Sequence, residues 1–404
     1  MIAAPRSNVF GHPPFAWFFA ARVLSELSQQ IAAVAVGWQI YAMTNSAAYL
    51  GLVGLAQFMP TALLTFVAGS VADRFNRKRV AQFCQGTNAL TGGYLAFGTY
   101  GGWLSVPDIF AAVTIFGLTT AFESPAVAAL LPAAAPRAEL QRATALTTGA
   151  FQVAIVSGPA LGGLAYSVSP TAPWLLLLFA SAAAALCSGA VAIRTRIDAD
   201  TGHTFAELFA GISFVRRDRA ILGSISLDLF AVLLGGATAL MPLYARDILR
   251  TGPWGLGILR GAPAVGALLM TAWLARHPLT SKVGRRLFHA VIVFGVASMV
   301  FGLSTILWIS LAALAVMGAA DTVSMVIRIS LVQLATPDHM RGRVGAVNFL
   351  FVNASSQLGE FESGMTAALL GAMPAVVLGG LGTILVALLW TKLFPALRDL
   401  EHLE

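Results

Sequence analysis

The stretch Gly69-Ser-Val-Ala-Asp73-Arg74-Phe-Asn-Arg77-Lys78-Arg79 sets four basic side chains and one acid between two long apolar runs. Only 11% of the 404 residues are charged, so this density is not background. A short, strongly basic connection stays on one face of a bilayer, and the stretch therefore predicts two membrane-spanning helices joined on that face. Working outward, apolar runs of about 20 residues, each enough for one span, recur along the chain. They place helices near 15–43, 49–72, 80–102, 108–131, 143–167, 171–194, 220–245, 254–276, 286–303, 307–333, 343–368 and 374–394, twelve spans in all.

The totals agree. Hydrophobic residues make up 57% of the chain and mean hydropathy is +0.79, more than a soluble protein of this size can cover. The first apolar run lacks a small-residue cleavage site after it and reads as a retained span rather than a signal peptide. Cys84 and Cys187 both lie inside apolar runs, so no disulfide framework is implied. The six histidines are scattered without metal-ligand spacing, and no cofactor fingerprint occurs; no metal or cofactor is expected. The lysines follow Arg77, Ser281 and Thr391, which leaves no Gly-Lys-Ser/Thr phosphate loop and excludes ATP hydrolysis by that route. No Ser/His/Asp or Cys/His constellation falls on one site, so an enzyme is not expected.

The net charge of +7 is a topology signal. Most basic residues, from the opening stretch to Arg216, Arg217 and Arg219, Arg285 and Arg286, Arg341 and Arg343, fall on one side of the anticipated spans, and only Arg246 and Arg250 fall on the other. By the positive-inside rule both termini are then cytoplasmic in a bacterial inner membrane. The basic face suits anionic lipid headgroups rather than nucleic acid. The longest hydrophilic stretch, 195–219, carries Phe205, Leu208, Phe209, Ile212 and Val215 at helical spacing and reads as an interfacial amphipathic linker. It divides the chain into 1–194 and 220–404. A shift of 201 residues aligns Gly117 with Gly318, Pro136 with Pro337, Arg142 with Arg343, Gly158 with Gly359 and Gly163 with Gly364, which suggests an internal repeat.

The opening stretch, as Gly-x-x-x-Asp-Arg-x-x-Arg-Lys-Arg, resembles the signature loop between the second and third helices of the major facilitator superfamily. Three further strings resemble its enterobactin-exporter-like, transmembrane secretion effector branch: Gly252-Pro-Trp-Gly255-Leu-Gly257-Ile-Leu-Arg260-Gly-Ala-Pro263-Ala-Val-Gly266, Thr336-Pro337-Asp338-His-Met-Arg341-Gly342-Arg343-Val344 and Gln357-Leu-Gly359-Glu360-Phe-Glu362-Ser-Gly364. Ser157-Gly158-Pro159-Ala-Leu-Gly162-Gly163 resembles the core of the antiporter motif, although the preceding motif glycine is Ala154 here. The resemblance implies an all-α integral membrane protein, with twelve transmembrane helices in two pseudo-symmetric six-helix bundles. It also implies proton-driven export of siderophores, drugs or other small molecules. By the same resemblance Gly69, Asp73, Arg74 and Arg77 belong to a cytoplasmic gating latch, with Glu123 as its acid on the fourth helix. In the second half the position equivalent to Asp73 is Leu274, so that loop lacks the carboxylate.

Ionisable groups inside a bilayer are costly unless paired or wetted, and each is a functional candidate. Arg22, Glu26 and Gln30 recur every fourth residue and make one polar stripe on the first helix. Asp228 lies at similar depth on the seventh. Desolvation there favours the neutral, proton-bearing carboxyl that a carrier needs; the plainer alternative is an Arg22–Glu26 pair that only orients its helix. Asp321 and Arg328 share a face of the tenth helix, suited to an ion-pair network with the eleventh or to substrate contact. Glu360 and Glu362, two apart, face different ways, and Glu360 is the one expected on the cavity. The small-residue motif Gly158, Pro159, Gly162 and Gly163 suits close helix packing as well as an antiporter role. Trp38, Tyr41 and Phe58 suit an apolar path or packing. The functional expectation is a monomeric exporter of a small amphiphilic molecule, taking protons as coupling ion and the bilayer as surroundings. The alternatives are a proton-coupled importer of an iron-chelate or metabolite, and a non-transporting membrane scaffold or receptor.

Overall fold

The computed structural model describes residues 9–192, 212–277, 279, 281–337 and 340–402; at 65–67, 69, 70, 72–74, 341–343, 346 and 349 it describes the backbone alone. Every regular element among them is helical. In chain order these are α1 (Pro13–Thr44), α2 (Ala47–Arg74), α3 (Arg77–Gly101), α4 (Val106–Ala134), α5 (Leu140–Val168), α6 (Ala172–Ala190), α7 (Arg219–Leu234), α8 (Pro253–Arg276), α9 (Val283–Leu303), α10 (Leu307–Ala335), α11 (Arg341–Leu370) and α12 (Ala372–Leu393), with a last short turn at Pro395–Arg398. Nine helices among the described residues are long and apolar enough to cross a membrane. In addition α1, α3 and α11, with 32, 25 and 30 residues, are long enough by length.

The helix ends follow from local chemistry. The charged stretch of the sequence is a turn of only Phe75 and Asn76, with Asp73 and Arg74 closing α2 and Arg77 opening α3. Asn76 caps α3 by accepting from the Lys78 backbone N–H at 3.1 Å, which satisfies one of the orphan donors of a helix start. At the far end Gly102 takes φ +70, a left-handed position glycine tolerates without strain. Asp218 caps α7 through the N–H groups of Ala220 and Ile221.

One anticipated helix differs. The run 220–245 reads as continuous in the sequence, but α7 stops at Leu234. The chain goes on through a 3-10 turn (Ala237–Leu240), a short helical turn (Met241–Leu243) and a π turn (Tyr244–Ile248). Gly235 and Gly236 sit at the break, where glycine weakens the helix. Of the anticipated amphipathic linker, the part through 211 lies outside the described residues; 212–217 are helical and Val215 is buried with Ile221, Ile225, Val332, Val344 and Val347.

The chain forms two compact units. One unit is Met1–Val36 with Met59–His203; the other is Gly37–Phe58 with Thr204–Glu404. The tip of the α1–α2 hairpin therefore belongs with the second half of the chain. In the first unit α3 packs on α4 and α6, and Phe15, Phe18, Val127, Leu130 and Val191 form an apolar core. In the second, α9 packs on α10 and α12, and α7 on α11 and α12. Leu227, Val283, Leu287, Phe288, Ile327 and Leu397 share a core there.

Candidate functional site

In the first unit the polar stripe of α1 is the seed of a buried cluster. Glu26 lies about 20 Å along a helix about 48 Å long. Its carboxylate accepts from Gln30 Nε2 at 2.9 Å and has Arg22 Nη2 at 4.0 Å. The Arg22 guanidinium lies over the Phe151 ring of α5, 5.1 Å from its centre. One residue before Glu26, Ser25 turns the other way and donates to Glu123 Oε1 of α4 at 2.6 Å. The same oxygen accepts from Gln85 Nε2 of α3 at 2.8 Å, and Gln85 in turn accepts from Ser188 Oγ of α6 at 2.8 Å. Glu123 is 2% exposed and its Oε2 has no hydrogen-bond partner. Arg22 and Glu26 are the charged side chains that act on it electrostatically.

The glycines of α5 set this cluster's depth. Gly158, Pro159, Gly162 and Gly163 are all buried. A Cβ on Gly158 would come within 2.5 Å of Gln30 Cβ, and one on Gly162 within 3.2 Å of the Ile31 backbone. The motif thus brings the α5 backbone directly onto the residue that holds Glu26.

The second unit treats its acids differently. Asp228 of α7 pairs directly with Arg328 Nη1 of α10, and both are buried, at 6% and 4% exposure. Asp321 lines the same narrow cleft with Ser324 and Phe294. Among the described residues the ion pair of Arg328 runs to α7. Glu360 on α11 accepts from Thr238 Oγ1 at 3.4 Å and is acted on by Arg260 of α8. Glu362 faces elsewhere and accepts from Thr366 Oγ1 at 2.7 Å. Arg22, Glu26, Gln30 and Glu123 are thus brought into one cluster, and Asp228, Asp321 and Arg328 into another. Glu360 stands apart with Arg260 and Thr238.

For the gating stretch the structure places Gly69, Asp73 and Arg74 on the last turns of α2, but their side chains lie outside the described residues. The partners described for Glu123 are those on α1 and α3 given above. Gln85 and Ser188 were not singled out from the sequence: a lone amide or hydroxyl in an apolar helix carries no signal until its partner is known.

The chain is similar to the crystal structure of the nucleoside transporter NupG, with a TM-score of 0.71 and 13% identity over 94% of this chain and 99% of that one. It is likewise similar to a bacterial homologue of the human lysosomal transporter Spinster in an inward-facing, occupied conformation, with a TM-score of 0.75 and 13% identity over 97% and 99%. These likenesses show the fold. In sequence it is 27% identical to the multidrug efflux pump Tap of Mycobacterium tuberculosis over 96% of this chain and 95% of that protein. It is 25% identical to the enterobactin exporter EntS of Shigella dysenteriae over 97% and 93%. The family model described as transmembrane secretion effector matches residues 6–403, and the chain is a multi-pass membrane protein that belongs to this family of transporters.

Proposed function

We propose that this protein is a proton-coupled secondary exporter of a small amphiphilic molecule (a siderophore, drug or metabolite), working by alternating access. Twelve spans in two six-helix bundles joined by 195–219, with both termini cytoplasmic, complete the reading. Direction is supported by the relatives, an efflux pump and an exporter. The observation that carries proton coupling is the pair of acids Glu26 and Glu123, both buried in the helices of the first unit. Glu123 is held by the neutral donors Ser25 and Gln85. Serine and glutamine serve a carboxylate or a carboxylic acid alike, so the site tolerates gain and loss of a proton. Arg22, Gln30, Asp228, Asp321 and Glu360 complete the set of coupling and cavity residues. The latch of Gly69, Asp73, Arg74 and Arg77 gates the cytoplasmic side.

The test compares small molecules inside and outside cells expressing wild type or Glu26→Gln, by untargeted mass spectrometry. A compound enriched outside with wild type alone, and equalised by an uncoupler, is the expected result. Accumulation inside the cells would replace export by import.

A further inference from the structure

We infer that the cleft between α10 and α11 is a binding site for a neutral, hydroxyl-bearing molecule with an apolar body, held by Arg328 Nε and Asn348 Oδ1. The inference rests on the exporter reading above and names a substrate class for it.

The sequence lays two helix faces along this cleft. Met325, Arg328, Ile329 and Val332 recur at steps of three and one on α10, and Gly345, Asn348 and Val352 at steps of three and four on α11, so each set shares one face. Arg328 stands seven residues before Ala335, where α10 ends, and Asn348 seven after Arg341, where α11 begins. Both are therefore about 10 Å from the joined ends of the two helices, at matching depth. The cleft encloses about 760 Å³, the size of a small-molecule site. Its wall is mostly hydrocarbon, from Met325, Ile329, Val332, Leu334 and Val352. Among the described residues that line it, Arg328 is the one charged side chain. Gly345 leaves room for a ligand's body, since a Cβ there would meet nothing within 4 Å.

Two polar atoms on this wall lack a partner. Arg328 is 4% exposed and its Nε has no hydrogen-bond partner; nor has the buried Oδ1 of Asn348. Unpaired buried polar atoms are rare, because each has given up its hydrogen bond to water. The Arg328 Nε–H is a donor and the Asn348 Oδ1 an acceptor. Together they suit a group that accepts and donates at once, and a hydroxyl is the smallest one. Charge decides against an anion. Asp228 already balances Arg328, and Asp321 lies beside Asp228 in the adjoining cleft. A carboxylate or phosphate would therefore bring in buried charge with no countercharge left among the described residues. A cation would face the guanidinium. An alcohol or phenol is neutral at pH 7 and brings neither cost.

The experiment uses the full chain in phosphatidylcholine nanodiscs and para-octylphenol carrying a diazirine in its alkyl chain. Photo-crosslinks are read by peptide mass spectrometry, and thermal unfolding checks that each variant is folded. Capture is expected on the segments 325–334 and 345–352 that face the cleft. Unlabelled para-octylphenol should suppress it at about a tenfold lower concentration than para-octylanisole, which lacks the hydroxyl proton. The anionic para-octylbenzoate should also compete more weakly than the phenol. Arg328→Lys keeps a charge for Asp228 but removes the Nε–H, and Asn348→Leu removes the acceptor. Each should weaken capture about fivefold or more, as loss of one hydrogen bond in a buried site does. Gly345→Phe fills the open space and should abolish capture with the fold retained. Equal competition by the anisole, stronger competition by the benzoate, or undiminished capture in both Arg328→Lys and Asn348→Leu would overturn the site. If capture behaves as expected while cells expressing the wild type extrude no hydroxyl compound, the exporter reading falls and the site stands.

Discussion

The contact of α5 on α1 and that of α11 on α7 are built alike and furnished differently. Gly158 and its repeat mate Gly359 each bring one helix against the backbone or β-carbon of the other. A Cβ on Gly158 would strike Gln30, and one on Gly359 would come within 2.8 Å of the Val232 carbonyl and 2.9 Å of the Leu233 carbonyl. Around the first contact, Glu26 finds Arg22 and Gln30 on its own helix. Beside the second, Asp228 reaches across to Arg328 on another. Partners four residues apart travel with their helix, whereas a buried pair between helices ties the two together. The same packing device therefore stands beside an ion pair within one helix in one unit and an ion pair between two helices in the other.

The sharpest way to break this contrast is to remove one partner of each pair. Arg328→Met leaves Asp228 buried without its countercharge and should cost about 3–5 kcal/mol, measured by thermal unfolding in detergent. The double variant Asp228→Leu/Arg328→Met should recover much of that loss. Arg22→Met, at a partly exposed position, should cost no more than about 1 kcal/mol. Equal losses at Arg22 and Arg328 would refute the distinction between stripe and brace.

A second comparison sharpens the repeat. Gly158→Val and Gly359→Val should each cost about 1–3 kcal/mol, because both add atoms where backbone or β-carbon already stands. A large effect at one and none at the other would mean that the shared glycine contact is an accident of alignment. A smaller effect is expected at Glu123. Glu123→Gln keeps an oxygen for Ser25 and Gln85 and should change stability by less than about 1 kcal/mol, while abolishing any pH dependence of efflux that runs through this carboxyl. Ser25→Ala removes one donor and should be the more destabilising of the two.

The smallest effect lies outside the spans. Hydrogen bonds from Arg398 hold the Asp399 carboxyl below its usual range. A depressed carboxylate stabilises the fold above its unfolded pKa of about 3.9, and that contribution fades as pH falls through the folded value. Both groups are exposed, so Arg398→Ala should shift unfolding only slightly and only above that pH.

The apolar runs made the helices legible in the sequence, because a span needs some 20 apolar residues and little else has that signature. The break in α7 was not, since Gly235-Gly236 resembles the many glycines that spans tolerate. Buried acids were legible one at a time, because each stands out against apolar neighbours. Their partners were not. Ser25 and Glu123 are 98 positions apart, Tyr41 and Asp247 are 206, and no periodicity links such distances. The gating stretch shows the converse: its motif was the clearest sign in the chain, yet recognition of Asp73 and Arg74 says nothing about which side chains they meet.

The π turn at Tyr244–Ile248 carries Arg246 and Asp247, which close a clasp on the carbonyl and the hydroxyl of Tyr41. A π turn is an α-helix holding one residue too many. Deleting a single residue upstream of Arg246 would let the helix rewind and swing Arg246 and Asp247 by about 100° around its axis. No side chain of the clasp would have changed, yet its two halves would face apart. A length variant, neutral by composition, would thus undo a contact that no substitution had touched.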